Sequence, residues 1–192
     1  FQMSESLKTN VYSSDLIWVY IVSAAFWIIS VPPYLKQLYT IKNPLLLMLA
    51  GWMLLLPTCL ALYQLRAISP ALLLGLMATI WISDTAAYFT GRSLGKRKLA
   101  SQISPNKTWE GVFGALIAVF IYGLAWDFWF IEESLAAKLI PLLLLMAILG
   151  IIGDLYESLM KRQAGVKDSG NILPGHGGIL DRIDALTASL PF

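Results

Sequence analysis

The segment between Asp154 and Asp184 is rich in side chains that can bind metal ions and phosphate groups. Asp154, Ser158 and Lys161 follow one another at i, i+4 and i+7, so a helix would carry a carboxylate, a hydroxyl and an ammonium along one stripe. Asp181 and Asp184 are three residues apart and would share a helix face in the same way. Carboxylates repel a polyphosphate, but they can hold Mg²⁺, which then binds phosphate oxygens. The segment therefore predicts a divalent ion and a phosphorylated substrate at one site.

Further charged residues make this segment nearly neutral rather than basic. They are Arg162, Lys167, Asp168 and Arg182. Cytoplasmic loops of membrane proteins normally carry an excess of Lys and Arg, so the mixture is unusual. Surface salt bridging is the ordinary alternative, and we prefer it for Glu157 with Lys161. For Asp154 and Asp181 we prefer a role in the predicted metal and phosphate site.

His176 is the only histidine, and glycines flank it. It is a candidate catalytic base, but a role in ordering the turn or in contacting substrate is favoured. Since the chain has no histidine cluster, its composition argues against a zinc site.

A second loop, from Gly91 to Gly111, mixes glycine, cationic and hydroxyl residues. Glycines let the backbone approach a ligand, and cations suit phosphate oxygens. One interpretation is a basic anchor on lipid headgroups. The alternative is an anion site at a helix start, which the stretch from Ser104 to Gly111 favours because it leads into an apolar run. Lys107 and Arg92 are the candidate phosphate ligands of this loop.

Asp84 lies within an apolar stretch that is long enough to cross a membrane. A carboxylate at the centre of a span costs about 3 kcal/mol on insertion scales, so it is expected to face a helix interior or a wet cavity. Tyr88 and Arg92 follow at i+4 and i+8 on the same helix face. We predict that Asp84 faces the basic loop. A structural contact between helices is the alternative.

The composition places the chain in a membrane. A soluble domain is roughly 45–50% apolar and about 25% charged, whereas this chain is 57% apolar and 14% charged. We therefore predict an all-α, polytopic transmembrane bundle without a separate soluble domain. The predicted spans are residues 16–31, 45–63, 71–90, 111–131 and 139–153, with a sixth beginning near 183.

Four further statements complete this prediction. The first span is expected to end at Pro32-Pro33, and the fifth helix to continue to about Lys161. Cys59 is the only cysteine, so the chain has no intrachain disulfide. The charge pattern gives no general basic surface, which argues against nucleic acid as a partner.

The distribution of Lys and Arg predicts the orientation, because these residues stay on the cytoplasmic side. With the loop 91–110 inside, eleven of the fourteen cations are cytoplasmic and three are outside. The three outside are Lys8, Arg66 and Lys138. Both loops that carry candidate site residues then face the cytoplasm.

Several motifs together resemble one family. Ser158-Leu-Met-Lys161-Arg162, then Lys167-Asp168-Ser-Gly170, Pro174-Gly-His176-Gly-Gly178 and Asp181-Arg182-Ile-Asp184 closely resemble the signature of the phosphatidate cytidylyltransferases, the CDP-diacylglycerol synthases of bacterial type. The stretches from Asp84 to Arg92 and from Ser104 to Gly111 are similar to that family as well. The resemblance covers about 71–190, whereas residues 1–70 match only as a string of spans. We therefore separate N-terminal spans, 1–70, from a catalytic core, 71–192, with a signature loop at 154–184. Since the chain begins with Phe1, we expect a fragment that lacks the family's N-terminal spans and part of the final one.

The resemblance implies an enzyme of the bacterial inner membrane, usually a homodimer, whose cavity opens to the cytoplasm. It implies Mg²⁺ held mainly by Asp154 and Asp181, and a second, monovalent cation such as K⁺. It ties further residues to substrate binding and activity: Lys161, Arg162, Lys167, Asp168 and Asp184. The hypothesised reaction transfers CMP from CTP to phosphatidic acid in phospholipid biosynthesis. Asp84, Ser158, His176 and Arg182 complete our candidate substrate-binding set.

Two other functions stay open at this point. A CTP-dependent lipid kinase would move the γ-phosphate of CTP to a lipid alcohol. A transporter would use Asp84 on an ion path, but the chain shows no internal repeat and carries two loops of phosphate-binding residue types. A CDP-alcohol phosphotransferase is disfavoured, because it would need an Asp-x-x-x-Asp pattern and this chain has only Asp181-x-x-Asp184. A scaffold is also disfavoured, because it would not need phosphate-binding residue types in two loops.

Overall fold

The computed structural model describes residues 16–38, 40–41, 43–130, 135–166, 168–170, 178 and 180–192. Only the backbone is described for Phe130 and Arg182. The candidates Lys167 and His176 lie outside the described residues. Residue contacts divide the chain into two compact units, one of them Leu74–Ser189 and the other the described residues up to Leu73 with Leu190–Phe192. The functional division predicted after residue 70 stays a prediction.

The first unit is built from helices, and its first span differs from the prediction. Its elements are α1 (Ile17–Ala25), a π-helical segment (Phe26–Ser30), α2 (Val31–Gln37) and α3 (Pro44–Ile68). The Tyr20 hydroxyl donates a hydrogen bond of 2.7 Å to Gln64 Oε1, which ties α1 to α3.

The prediction that Pro32-Pro33 ends the first span was wrong, because the helix continues to Gln37. The two prolines occupy the first turn of α2, directly after the π-helical segment. Proline has no N–H group, so neither residue can donate to the preceding turn, and the hydrogen bonding is irregular in the π-helical segment just before them. Leu38 then ends the helix in the left-handed conformation, with φ of 53°.

The second unit contains the remaining elements. They are α4 (Pro70–Leu94, from Leu74 onward), β1 (Lys98–Ala100), β2 (Ser104–Thr108), α5 (Trp109–Phe130), α6 (Ala136–Gln163) and α7 (Leu180–Ser189). The strands form an antiparallel hairpin in which Lys98 faces Thr108. α6 packs against both α5 and α7. The helix of the fifth span was correctly predicted to continue past Asp154.

Small residues bring the helices of this unit close together where the candidate residues lie. A Cβ atom on Gly153 of α6 would come within 2.7 Å of the Asp184 carbonyl oxygen and 2.9 Å of Ala188 Cβ. A side chain at Gly153 would therefore push α7 away. The glycine places Asp154 beside the helix that carries Asp181 and Asp184.

Five helices among the described residues are long and apolar enough to cross a membrane. They have 21, 25, 25, 21 and 28 residues, against about 20 needed to span the hydrocarbon core. The predicted all-α transmembrane fold is confirmed, with a two-stranded hairpin as an unpredicted addition. α7 has ten residues, and the sixth span near residue 183 stays a prediction.

Candidate active site

A cavity of about 400 Å³ lies within the second unit. This volume is in the range of small-molecule binding sites. Four carboxylates and one lysine are among the residues that line it: Asp84, Asp154, Asp181, Asp184 and Lys107. They come from α4, α6, α7 and the hairpin, so residues 100 positions apart in the sequence meet around one space. The sequence predicted each of them as a site residue, and the structure brings all five together.

Lys107 is the cationic centre of this cavity. Its Nζ lies 2.5 Å from Asp154 Oδ2, and the Ser158 hydroxyl donates a hydrogen bond of 3.2 Å to Asp154 Oδ1. Asp84 and Asp184 interact electrostatically with the same ammonium. Three carboxylates thus face one lysine, and this part of the cavity can accept a further positive charge.

Asp184 is the carboxylate whose environment opposes ionisation. Removal from water and the neighbouring Asp154 raise the pKa of Asp184 above its ordinary value, although Glu157, the backbone N–H of Ala185 at 2.7 Å from Oδ1, and Lys107 act to lower it. Two acids facing each other in a partly dry site repel when both are ionised. Asp184 is therefore harder to ionise in the folded protein than in water, and a cation bound beside it would favour its charged form.

This shift predicts the stability of Asp184→Asn. Because folding raises the pKa of Asp184, the wild type loses stability as the pH rises through that raised value. Asparagine cannot ionise, and its oxygen still accepts from the Ala185 N–H. We expect the variant to melt at a higher temperature than the wild type at pH 8. The difference should vanish below the ordinary aspartate pKa of about 3.9. Thermal melts in detergent at both pH values test this, and a variant that melts lower at pH 8 would contradict it.

Asp181 has the opposite environment. Desolvation alone would raise its pKa, but hydrogen bonds from Lys161, Gly178 and Ser169 lower the pKa of Asp181 well below its ordinary value. Lys161 Nζ donates to Oδ1 at 2.7 Å, and the Gly178 N–H donates to Oδ2 at 2.7 Å. Ser169 donates from both its N–H and its hydroxyl at 2.9 Å. Asp181 is therefore an ionised anchor that joins α6, α7 and the residues between them.

Glu157 corrects the sequence analysis. The predicted pair with Lys161 is present, with Nζ and Oε2 3.2 Å apart. Its location at the surface was wrong, because Glu157 is only 6% exposed. α7 packs against α6 and removes this part of the helix from solvent. Periodicity alone could not show which helix would cover it.

The predicted anion site at the start of α5 stays a prediction, and the hydrogen bonds around Glu110 and Thr108 describe its surroundings. The Glu110 carboxylate accepts hydrogen bonds from the N–H groups of Lys96, at 3.1 Å, and Arg97, at 3.2 Å. Thr108 Oγ1 accepts from the Gly111 N–H at 3.1 Å. Of these donors only the Gly111 N–H belongs to α5, and Glu110 places a negative charge in the first turn of this helix, where it is favourable. The loop also contributes Lys107 to the cavity through the hairpin.

Glycines hold this hairpin against α4 and α5. Cβ atoms on Gly91, Gly95 or Gly111 would lie 3.0, 2.9 or 3.2 Å from Thr108 Oγ1, which is buried among them. A Cβ on Gly111 would also lie 2.9 Å from the Ala87 carbonyl oxygen. Close backbone packing therefore fixes Thr108, and with it the neighbouring Lys107.

We expect Gly111→Ala to destabilise the protein, because the added methyl group would meet the backbone of α4. Overpacking of this kind costs about 1–3 kcal/mol, and each 1 kcal/mol lowers Tm by about 2–4 °C at this size. Gly51→Ala is the matched control, since a Cβ there meets nothing within 4 Å. Thermal melts of both variants test the packing. Equal Tm values for the two variants would contradict it.

The remaining candidates have different positions. The exposed Arg92 donates from Nη1 to the Tyr88 hydroxyl at 2.7 Å, and Tyr88 lines the cavity. Arg162 and Asp168 are exposed and are not among the residues that line the cavity in the described part of the chain. Three cavity residues were quoted in the motifs without a predicted role: Ser104, Asn106 and Thr108. The sequence could have indicated these residues, because they are close to Lys107 in a stretch of hydroxyl and amide side chains.

The cavity fits a hard divalent ion by its donor chemistry. Its acids offer only oxygen ligands, which Mg²⁺ prefers. No group of three or more His, Cys, Asp and Glu side chains in the described ranges is close enough to form a ready-made cage. Instead, Asp154 holds the Lys107 ammonium and Asp181 holds the Lys161 ammonium. Each carboxylate already binds a cation, so a metal would have to share or replace these lysines.

Comparison with known proteins identifies the family. The cytidylyltransferase family model matches residues 4–192. The chain belongs to this family. It is similar to the phosphatidate cytidylyltransferase of Haemophilus influenzae, with 36% identity over 201 residues, 95% of this chain and 69% of the relative. The Pseudomonas aeruginosa phosphatidate cytidylyltransferase is 47% identical over 145 residues, 73% of this chain and 53% of the relative.

A third relative matches a smaller part of the chain at higher identity. The Bacillus subtilis phosphatidate cytidylyltransferase is 51% identical over 116 residues, 59% of this chain and 42% of the relative. The chain thus spans from 42% to 69% of the length of these three relatives. The resemblance inferred from the motifs is confirmed.

Proposed function

We propose that this chain carries the active site of a CTP:phosphatidate cytidylyltransferase. The enzyme transfers CMP from CTP to phosphatidic acid and produces CDP-diacylglycerol and pyrophosphate. The observation that carries the proposal is the identity of 36–51% with phosphatidate cytidylyltransferases. The cavity supports it, because it combines a lysine and four carboxylates near the ends of predicted spans.

The reaction is a displacement at phosphorus. An oxygen of the lipid phosphate bonds to the α-phosphorus of CTP, while the bond from that phosphorus to the bridging oxygen of the β-phosphate breaks. Pyrophosphate leaves with the electron pair of the broken bond. Because the nucleophile is already an anion, no strong general base is needed. The catalytic problem is to bring two anions together and to stabilise the charge on the leaving group, which positioning and electrostatics achieve.

The residues of the cavity suit this task. Lys107 lines the cavity, and Lys161 is held at Asp181, which also lines it; both ammonium groups would serve to bind phosphate oxygens. Asp154 and Asp181 would hold Mg²⁺, with Asp84 and Asp184 orienting the cations or serving a second, monovalent ion. When bound, Mg²⁺ supplies Lewis acidity and a template for phosphate oxygens. Arg92 beside Tyr88 extends the positive charge toward the cavity.

The proposed location is the bacterial inner membrane, with the cavity open to the cytoplasm. The cavity residues come from the second half of α4, the start of α5 and the second half of α6. Alternating spans place these three regions on the same side, where the cationic loops are predicted to face the cytoplasm. Phosphatidic acid would arrive from the bilayer and CTP from the cytoplasm. A homodimer is proposed from the family resemblance.

The test is incubation of the purified protein with phosphatidic acid, Mg²⁺ and CTP labelled on the α-phosphate. We expect the label to move into the lipid phase. Parallel reactions with CTP labelled on the γ-phosphate and with a lipid alcohol test the lipid kinase. In that case the γ-label enters the lipid and CDP stays in water. Ion flux in liposomes without CTP, with neither label in lipid, would instead indicate a transporter and overturn the proposal.

A further inference from the structure

Three consecutive cations lie at the junction of α4 and β1, and the proposed reaction gives them no role. They are Lys96, Arg97 and Lys98, and all three are exposed. We call them the cationic turn. Lys107 and Lys161 are each held by an aspartate, whereas the cationic turn has no ion pair within the described part of the chain. Its charge is therefore available to a partner outside the chain.

The backbone of the cationic turn is fixed by its contacts with the start of α5. The Glu110 carboxylate accepts hydrogen bonds from the N–H groups of Lys96, at 3.1 Å, and Arg97, at 3.2 Å. The Arg97 carbonyl oxygen accepts from the Trp109 N–H at 3.0 Å, and Lys98 begins β1. Glu110 is a single negative charge beside three positive ones. The turn therefore holds a net positive charge on an ordered backbone.

The position of the cationic turn in the chain places it at a membrane surface. α4 ends at Leu94 and α5 begins at Trp109, and both helices are long and apolar enough to cross a membrane. The short hairpin that joins them keeps the turn close to the ends of both spans. Trp109 is 48% exposed, and tryptophan is enriched at the level of the lipid headgroups. Cations at this level are attracted to anionic lipids.

The cationic turn is also continuous with the cavity. Leu99, which directly follows Lys98, lines the cavity, and so does Lys107 on the other strand of the hairpin. A headgroup bound at the turn would therefore lie next to the space that contains the candidate phosphate ligands. The turn is thus placed between the lipid surface and the proposed active site.

We propose that the cationic turn is a docking surface for the headgroup of phosphatidic acid in the bilayer, on the route of this lipid to the cavity. The role deepens the proposed function and rests on it. The phosphate of phosphatidic acid is a monoester, and phosphate monoesters carry about −1.5 to −2 charges near pH 7. Most other anionic phospholipids are diesters with a single negative charge. Three unpaired cations therefore favour phosphatidic acid over the lipids around it.

The ordinary alternative is that these cations only orient the protein in the membrane, as the excess of Lys and Arg on cytoplasmic loops does generally. Such charges need no preference for one lipid and no particular place in the fold. Lys36 provides a matched control, because it is an exposed cation of α2 that is also predicted to be cytoplasmic. The docking surface predicts that Lys98→Gln and Lys36→Gln differ, whereas general orientation predicts that they behave alike.

The first measurement is lipid selectivity without catalysis. Spin-labelled phosphatidic acid, phosphatidylglycerol and phosphatidylcholine are added separately to proteoliposomes without CTP, and electron paramagnetic resonance gives the fraction of each lipid held at the protein. We expect the wild type to prefer phosphatidic acid over both other lipids. Lys98→Gln should lower this preference by up to about 5-fold, the contribution of one cation at an anionic surface, and Lys36→Gln should leave it unchanged. The triple variant Lys96→Gln, Arg97→Gln, Lys98→Gln should lower it further, and eight of the eleven predicted cytoplasmic cations remain in it to keep the orientation.

Equal holding of phosphatidylglycerol and phosphatidic acid by the wild type would overturn the proposal. An equal loss of preference in Lys98→Gln and Lys36→Gln would overturn it as well. Because this measurement needs no reaction, it tests the docking surface even if the wild type transfers no label and the proposed function fails.

The second measurement is the steady-state kinetics of the same variants in mixed micelles. We expect Lys98→Gln to raise KM for phosphatidic acid by up to about 5-fold, with kcat and KM for CTP unchanged. Lys36→Gln should match the wild type. A rise in KM for CTP without a rise in KM for phosphatidic acid would show that the turn binds the triphosphate instead, and would overturn the proposal.

Discussion

Asp181→Asn is expected to lower the rate of CMP transfer by a factor on the order of 10²–10³, the cost of losing one preorganised electrostatic group. The carboxylate holds the Lys161 ammonium at 2.7 Å and is a proposed ligand of Mg²⁺. Asparagine is neutral, so it would bind both cations weakly. Its amide oxygen can still accept from Gly178 or Ser169, and the detergent-solubilised protein should stay folded.

The measurement for Asp181→Asn is transfer of the α-label over a series of Mg²⁺ concentrations. We expect the deficit to be largest at limiting Mg²⁺. Size-exclusion profiles and thermal melts of the variant control for folding. Wild-type rates at limiting Mg²⁺ would refute the assignment of Asp181 as a metal ligand. Loss of the folded peak in the size-exclusion profile would show that the main role of Asp181 is to hold the fold together through its hydrogen bonds.

Lys107→Ala is expected to lower kcat/KM by about 10²-fold, within the range for removal of one transition-state contact. Lys107 interacts with Asp154, Asp84 and Asp184, and its loss leaves these acids facing one another. The variant would repel an incoming phosphate. The kinetic constants for CTP and for phosphatidic acid, measured separately, show which substrate the ammonium contacts.

Lys138→Ala is the matched control for Lys107→Ala. Lys138 is exposed near the start of α6, 16 residues before Asp154. At 1.5 Å per residue the two positions are about 24 Å apart along the helix. We expect this variant to be silent, because the predicted topology places Lys138 outside. Loss of activity in Lys138→Ala equal to that in Lys107→Ala would contradict the topology.

The sequence was sufficient for the features that depend on composition and spacing. Long apolar blocks predicted five spans, because the bilayer requires about 20 apolar residues for each. The i, i+4, i+7 spacing placed Asp154, Ser158 and Lys161 along one helix, and Ser158 and Asp154 are hydrogen bonded. The resemblance supplied Asp181 and Asp184 as partners across another helix, and the cavity brings them together with Asp154.

The sequence did not predict the structural features that depend on how the surrounding elements are arranged. The hairpin at Lys98–Ala100 and Ser104–Thr108 contains proline and asparagine, which are poor strand formers. A two-stranded hairpin is marginal by itself, and here Glu110 and the packing around Thr108 support it. The burial of Glu157 depends on α7, and the helical continuation through Pro32-Pro33 depends on the preceding π-helical segment. The contacts that support the hairpin and bury Glu157 are not local in sequence, and the π-helical segment has no signal in the apolar pattern.

Binding of Mn²⁺ in place of Mg²⁺, followed by electron paramagnetic resonance, tests most directly whether the carboxylates of this cavity hold the ion that binds CTP. With wild-type protein and CTP, we predict bound Mn²⁺ with hyperfine coupling to phosphorus. We predict that Asp154→Asn and Asp181→Asn each weaken Mn²⁺ binding at least 10-fold, the scale on which even outer residues affect metal affinity. Undiminished Mn²⁺ binding and phosphorus coupling in both variants would contradict the account.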